Sequence, residues 1–192
     1  PWSQSIVGVE DCLVVNVHVT KEVLESNKPN TPVMVFIHGG GYVFGDGTPQ
    51  LYGPDWILDF GVILVTLNYR LGALGFLSTG DKELPANLGL WDQRLALQWV
   101  QQNIVVFGGD PGRVTIVGES VGSMSVMFHV LSSQSTGLFQ VFSSLALLLF
   151  SYLTFYLFYS FFLYHSLSFF LPCTYDLILI SIPGGDSSVR RP

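Results

Sequence analysis

The feature that most constrains the fold is the sequence GESVG at residues 118–122, which stands between an apolar run and a helical pattern. The apolar run, residues 114–117, predicts a short buried strand. A Gly-x-Ser-x-Gly sequence at a strand-to-helix junction is typical of a tight turn that projects the serine hydroxyl from the end of a sheet. We predict that Gly118 and Gly122 are small because a Cβ would collide with backbone there. Ser120 is therefore a candidate nucleophile, and a plain Gly/Ser turn is the alternative.

A second glycine-rich sequence, HGGGY at residues 38–42, follows an apolar strand pattern at residues 33–37. Consecutive glycines allow adjacent backbone N–H groups to point the same way, which creates a concave anion site. A flexible glycine loop is the plainer interpretation, and a phosphate loop fits poorly because no Gly-Lys-Ser/Thr follows. Together with the serine turn, this segment predicts an oxyanion hole, a set of N–H donors that stabilises negative charge on a carbonyl oxygen.

The other patterns predict alternating strands and helices. Residues 13–20 predict a half-buried strand near a sheet edge, residues 62–67 a strand buried on both faces, and residues 87–107 a helix. The predicted apolar stripe of that helix consists of Trp91, Leu95, Ala96, Trp99, Val100 and Ile104. Strands that are buried on both faces, with a helix between them, indicate an α/β fold with a mostly parallel sheet.

Charge is distributed unevenly along the chain. The net charge is −6 and the chain has no Lys/Arg cluster, which argues against a nucleic-acid partner. The four histidines have no metal-ligand spacing, so the sequence predicts neither a metal site nor a nucleotide cofactor. Residues 1–140 carry 18 of the 22 charged side chains, whereas residues 141–175 carry none.

The uncharged segment has more than one interpretation. It is long enough for a membrane-spanning helix, with residues 145–171 as the candidate span. Its Phe, Leu, Ser and Tyr residues also share pyrimidine-rich codons, so the segment equally fits a translated intron. We favour the intron interpretation, while a membrane segment and a variant fold stay open.

Six short motifs in a fixed order give the chain a resemblance to the type-B carboxylesterases, the carboxylesterase/cholinesterase family of the α/β-hydrolase fold. The motifs are EDCL at 10–13, HGGGY at 38–42, NYRLG at 68–72, GLWDQ at 89–93, FGGDP at 107–111 and GESVG at 118–122. The resemblance implies an incomplete α/β-hydrolase domain at residues 1–140, the N-terminal part of a mostly parallel sheet with flanking helices. Residues 141–192 would then be a tail from outside the family.

The resemblance also implies roles for individual residues. Ser120 would be the nucleophile, and the backbone N–H groups of Gly40, Gly41 and Val121 would form the oxyanion hole. Glu119 would lie beside the catalytic histidine. The family resemblance further implies a small-molecule ester substrate, no cofactor and a secreted or extracellular parent protein.

Ester hydrolysis of this kind also needs a histidine base and an acid that orients it, which follow the serine in the order acid, then histidine. After Ser120 the acids are Asp176 and Asp186, and the histidines are His129 and His165. Both histidines precede both acids, so this order is not met. His129 stands nine residues further along the same predicted helix, about 13 Å away. We therefore expect this chain to have a nucleophile but no general base, and to be inactive. A non-catalytic adhesion-like protein and a membrane-tethered family member are the alternatives.

Overall fold

The computed structural model describes residues 9–26, 29–81, 83–84, 86–144 and 180–181. The strands are β1 (Val15–His18), β2 (Thr31–Ile37), β3 (Ile63–Leu67), β4 (Gly109–Gly118), β5 (Val141–Ser144) and β6 (Ile180–Ser181). The α-helices are α1 (Lys21–Glu25), α2 (Asp55–Leu58), α3 (Gly72–Phe76), α4 (Leu88–Asn103) and α5 (Val121–Leu131). Two short 3-10 helices cover Ile104–Phe107 and Ser133–Ser135.

The strands form one sheet in the order β1-β3-β2-β4-β5-β6. Its central strands β3, β2, β4 and β5 run parallel, whereas β1 and β6 are antiparallel to their neighbours β3 and β5. This sheet confirms the predicted α/β class and the mostly parallel pairing. It also places β1 at an edge of the sheet, as the alternating pattern at residues 13–20 indicated.

The core lies around strands β2 and β3. Every residue of β3 is buried, and in β2 the buried residues alternate with partly buried ones. Leu97 and Val100 of α4 and Val126 of α5 pack into the same core with 0% exposure. Because each fully buried aliphatic side chain contributes about 1.5–3 kcal/mol, this core fixes the positions of the strand ends on which the site depends.

Strand β4 is longer than the predicted 114–117 segment, since it begins at Gly109. Residues 110–112 form an irregularity inside the strand. The pairing with β2 shifts from Thr31 opposite Gly109 to Val33 opposite Val114. The Asp110 carboxylate accepts a hydrogen bond from the N–H of Gly112 at 2.8 Å, which closes this local turn without ending the strand.

The predicted apolar stripe of α4 was wrong on one side. Trp91 is 47% exposed and Leu95 is 65% exposed, whereas Gln93 is completely buried. The guanidinium of Arg94 lies 5.5 Å from the centroid of the exposed Trp91 ring, within cation–π distance. The buried face contains a polar residue because partners from another helix satisfy the Gln93 amide, as described below. The prediction considered only apolar residues and therefore assigned the wrong face of α4 to the core.

None of the helices in the described part of the chain is long and apolar enough to cross a membrane. The candidate span at residues 145–171 lies outside the described residues, so the membrane and intron interpretations both stay predictions. The division between family domain and tail at residue 140 is also still a prediction. Strand β5 follows that position directly and pairs with β4 through Thr115 opposite Val141.

Candidate functional site

Two loops meet at one end of the sheet. Ile37, the last residue of β2, is paired with Gly118, the last residue of β4. Because the strands are parallel, the loops that follow them leave the sheet at the same edge. A Cβ placed on Gly39 would lie 2.5 Å from Oε2 of Glu119 and 3.0 Å from Cβ of Ser120. The glycine segment predicted as one half of the site therefore lies directly against the serine turn predicted as the other half.

The serine turn has a strained backbone. Ser120 precedes α5 with φ 56° and ψ −125°, a conformation that costs a non-glycine residue about 1–3 kcal/mol. Hydrogen bonds hold it in place. The Gly122 N–H donates to the carbonyl of Glu119 at 2.8 Å, and the Ser123 hydroxyl donates to the carbonyl of Ser120 at 2.5 Å. Ser120 thus lies on the sharp strand-to-helix turn that the sequence predicts.

The glycines on either side of the turn are required by close backbone contacts. A Cβ on Gly118 would lie 2.2 Å from the carbonyl oxygen of Gly122. A Cβ on Gly122 would lie 2.1 Å from the carbonyl oxygen of Ile37. Both distances are far shorter than any van der Waals contact, so the prediction that these positions must be small is confirmed.

The glycine loop curls through three consecutive left-handed residues, with φ of 102° at Gly40, 66° at Gly41 and 61° at Tyr42. The carbonyl of Gly40 accepts hydrogen bonds from the N–H groups of Val43 and Phe44 at 3.0 and 3.1 Å. Within the described residues, the N–H groups of Gly40 and Gly41 donate to no protein acceptor. The loop therefore keeps two backbone donors unused at the edge where Ser120 lies.

The N–H group of Val121 is the third predicted donor. Val121 is the first residue of α5, and an N–H in the first turn of a helix has no acceptor within the helix. The same helix end carries a partial positive charge. All three predicted donors thus belong to two loops that are in contact.

The buried His38 ring fixes the start of the glycine loop. The ring stacks on Tyr69 with centroids 4.4 Å apart, and its Nδ1 donates to the carbonyl of Gly39 at 2.8 Å. The Tyr69 hydroxyl donates to the carbonyl of His38 at 2.8 Å. Burial lowers the pKa of His38, although the hydrogen bond to Gly39 and the charge of Asp46 oppose this effect. The His38 ring at the start of the glycine loop is therefore favoured in its neutral form.

A buried polar cluster that was not predicted from the sequence lies behind the site. Its members are Tyr42 of the glycine loop, Gln93 of α4, Ser125 and His129 of α5, and Ser135 of the second 3-10 helix. His129 bonds through Nδ1 to the Ser135 hydroxyl at 2.9 Å and through Nε2 to the Gln93 amide oxygen at 3.1 Å. The signal in the sequence was the four-residue spacing of Ser125 and His129, which puts two polar side chains on one helix face.

An ion pair explains two further motifs. Arg70, from NYRLG, donates through Nε and through a terminal guanidinium nitrogen to both carboxylate oxygens of Asp92, from GLWDQ, each at 2.7 Å. The backbone N–H of Arg70 donates to the same carboxylate at 3.0 Å. These contacts join the segment after β3 to the first turns of α4 and do not involve the serine turn.

A mostly parallel sheet with a strained serine turn after one strand and a glycine loop after its neighbour defines the α/β-hydrolase class. Residues 2–144 match the model of the Carboxylesterase family, and the chain belongs to that family. The resemblance inferred from the six motifs is thereby confirmed.

Individual relatives agree with this assignment. Over 136 residues the chain is 54% identical to Esterase FE4 of Myzus persicae, which covers 70% of this chain and 24% of that protein. It is 53% identical over 135 residues to a juvenile hormone esterase of Tribolium castaneum, covering 70% of this chain and 22% of that protein. The solved structure of juvenile hormone esterase from Manduca sexta superposes with a TM-score of 0.67 at 41% identity, covering 70% of this chain and 25% of that one.

The chain spans about a quarter of the length of these relatives. Several of the relatives are named as esterases or carboxylic ester hydrolases.

Proposed function

We propose that this chain supplies the nucleophile and the oxyanion hole of a serine carboxylic ester hydrolase. The observation that carries the proposal is the contact between the two loops, in which the backbone of Gly39 lies against Ser120. An ester carbonyl held beside the Ser120 hydroxyl would then meet backbone donors from both loops. No cofactor is needed for this chemistry.

In the proposed reaction, Ser120 Oγ attacks the ester carbonyl carbon while a base accepts the hydroxyl proton. The N–H groups of Gly40, Gly41 and Val121 stabilise the negative oxygen of the tetrahedral intermediate. In known enzymes, one such donor lowers the activation barrier by roughly 3–4 kcal/mol. The base then passes its proton to the departing alcohol, and water hydrolyses the acyl-enzyme by the same steps.

Glu119 has a supporting role in this proposal. Its carboxylate lies over Gly39, next to the nucleophile, and its negative charge raises the pKa of nearby Tyr52, although burial of that phenol has the larger effect. A carboxylate in this position would favour the protonated form of a histidine base that approaches Ser120.

The described part of the chain offers no base to Ser120. Both ring nitrogens of His129 are bonded to Ser135 and Gln93, and the His38 ring is stacked in the core. His165 lies outside the described residues. We propose that the acid and the histidine of a complete enzyme belong to a part of the family domain that this chain does not span, so that this polypeptide alone hydrolyses no ester.

Because both ring nitrogens of His129 are bonded and the His38 ring is stacked on Tyr69, a second candidate is also favoured, a non-catalytic binding member of the family. We place the parent protein outside the cell, since one relative is named venom carboxylesterase-6 of Apis mellifera.

Membrane association through residues 145–171 stays a separate proposal, to be tested by whether the chain partitions into vesicles.

A fluorophosphonate probe tests the assignment, because the Ser120 oxygen would attack phosphorus and expel fluoride when a base takes its proton. We expect no labelling in plain buffer. With added imidazole as an external base, we expect labelling that mass spectrometry locates at Ser120 and that Ser120→Ala abolishes. Labelling in plain buffer would reveal a base within this chain. If Ser120 stays unlabelled even with imidazole, the nucleophile proposal is wrong and the non-catalytic candidate is favoured.

A further inference from the structure

The hydroxyl of Tyr42 joins the two loops of the site. It donates to the carbonyl oxygen of Val121 at 3.1 Å and contacts the Ser125 hydroxyl at 3.0 Å. Tyr42 follows Gly40 and Gly41 directly in the glycine loop, whereas Val121 begins α5. One phenol therefore connects the two pieces of backbone that carry the proposed oxyanion donors.

Behind Tyr42, buried side chains continue the hydrogen bonds into the core. The Ser125 hydroxyl accepts from Nε2 of Gln93 at 3.2 Å, and the Gln93 amide oxygen contacts Nε2 of His129 at 3.1 Å. His129 in turn contacts Ser135. The residues Gln93, Ser125, His129 and Ser135 are all at most 4% exposed. Because buried polar groups without partners are costly, each bond in this chain holds the next side chain in place.

The donor and acceptor of every hydrogen bond in this series follow from its last acceptor, the carbonyl oxygen of Val121. A carbonyl oxygen only accepts, so Tyr42 uses its proton there and Ser125 must donate to Tyr42. Ser125 must then accept from the NH₂ of Gln93, which turns the amide oxygen toward His129. His129 must therefore carry its proton on Nε2 and accept at Nδ1 from Ser135. The chain fixes one tautomer of His129 and one orientation of the Gln93 amide.

Burial agrees with this arrangement, since it lowers the pKa of His129 to about 4 and keeps the ring neutral. The phenol is also favoured in its protonated, donating form because burial raises the pKa of Tyr42. The chain of bonds is thus maintained at neutral pH.

We propose that Tyr42 is a positioning residue that sets the distance between the glycine loop and the Val121 donor, with Ser125, Gln93 and His129 as its buried support. This inference rests on the proposed function, because it concerns the same oxyanion hole. Tyr42 acts through backbone position and does not touch the substrate. The proposal accounts for a polar chain of five side chains in a core that apolar residues could otherwise fill.

Nitrogen-15 NMR of the His129 ring tests the chain of bonds without any reaction. We expect the neutral Nε2–H tautomer at pH 7, and a change in the ring shifts in Ser125→Ala. The Tyr69→Phe variant is the matched control, because it removes a buried phenol that donates to a backbone carbonyl outside the chain of bonds. The opposite tautomer, or ring shifts that respond equally to Tyr69→Phe, would overturn the proposed arrangement.

The rate of Ser120 phosphonylation with added imidazole tests the positioning role. We expect Tyr42→Phe to slow labelling of the folded protein about tenfold, and Ser125→Ala to slow it in the same direction. The double variant should be labelled only slightly more slowly than Tyr42→Phe alone, because both changes break the same series of hydrogen bonds. Ser78→Ala, which changes an exposed serine whose hydroxyl accepts a bond from the N–H of Gly80, should leave the rate unchanged.

The outcomes separate this inference from the proposed function. If the unsubstituted chain is labelled at Ser120 and Tyr42→Phe is labelled equally fast, the positioning role is wrong while the nucleophile assignment stands. A lower melting temperature with an unchanged rate in both variants would likewise make the phenol purely structural and overturn the inference. Absence of Ser120 labelling in the unsubstituted chain overturns the proposed oxyanion site and the positioning role with it.

Discussion

His129 is the residue whose burial has the clearest consequence for solution behaviour. The ring lies in the core between Ser135 and Gln93, and burial lowers its pKa from 6.5 to about 4, with a smaller contribution from the charge of Arg94. A proton on this ring would place a positive charge in the core, which burial disfavours. His129, which is not available as a general base, therefore makes the stability of the fold depend on pH.

We therefore predict that stability decreases as the pH falls. Above pH 6.5 His129 is neutral in both states and its burial costs no protonation energy. Between pH 6.5 and about 4 the unfolded chain binds a proton that the folded chain excludes, so the free energy of unfolding falls by roughly 2–3 kcal/mol. Urea unfolding at pH 7 and at about pH 4.5 measures this change.

The His129→Gln variant is the control for this assignment, because it keeps polar groups at the site but does not titrate. Burial also lowers the pKa values of His18 and His38, so the variant should retain a smaller pH dependence of the same sign. An equal loss of stability in the variant and in the unsubstituted chain would show that His129 titrates freely.

At the scale of elements, α5 packs against the ends of β2 and β4 through glycine contacts and has no room for a side chain there. We predict that Gly122→Ala destabilises the fold by about 3 kcal/mol or more, since its Cβ would lie 2.1 Å from the carbonyl oxygen of Ile37. Chemical denaturation measures the loss. Gly61→Ala is a suitable comparison: φ is 67° there, but a Cβ would meet nothing within 4 Å, so only a backbone cost of about 1–2 kcal/mol is expected. Similar losses in both variants would refute the steric explanation.

The Arg70–Asp92 pair joins the segment after β3 to α4, and its strength is also testable. Asp92 is 10% exposed and accepts three hydrogen bonds from Arg70, so Asp92→Asn should cost about 2 kcal/mol. The exposed pair between Lys21 and Glu25, 3.6 Å apart, provides the contrast, because Glu25→Gln should cost less than about 0.5 kcal/mol. Comparable unfolding free energies for the two variants would contradict a stabilising role for the Arg70–Asp92 pair.

The elements that the sequence predicted well are those whose cause is local. The serine turn follows from GESVG because Gly118 contacts Gly122 within the turn itself, although Gly122 also contacts Ile37 on the neighbouring strand β2. The buried face of α4 was mispredicted because it depends on Gln93, whose partners Ser125 and His129 are more than 30 residues away. A pattern of apolar residues has no means of detecting such long-range pairs.

At the scale of the whole molecule, periodicity alone predicts a mostly parallel sheet but not its strand order. The order β1-β3-β2-β4-β5-β6 depends on long-range pairing such as that of Ile37 with Gly118. That pairing brings HGGGY and GESVG together, although they are about 80 residues apart in sequence. The resemblance to the family predicts that these two segments lie together. Taken singly, each motif also fits a plainer structure, a flexible glycine loop or a Gly/Ser turn.

The described part also exposes large apolar side chains, and this leads to a prediction about the polypeptide in solution. Trp56 and Phe60, at and just beyond α2, are 82% and 79% exposed, and Leu131 at the end of α5 is 77% exposed. Because exposed apolar surface drives association, we expect this polypeptide to enhance the fluorescence of an apolar dye such as ANS. Its average mass by light scattering should also rise between about 5 and 100 μM.

The double variant Trp56→Gln/Phe60→Gln tests whether that surface is responsible. It should lower both the dye fluorescence and the concentration dependence of the mass, since it removes two of the largest exposed apolar groups. The double variant Lys21→Gln/Glu22→Gln changes two exposed residues of α1 without altering the net charge and should change neither quantity. A polypeptide that stays monomeric at about 100 μM and leaves the dye unchanged would mean that these side chains are covered in solution, contrary to the exposure seen here.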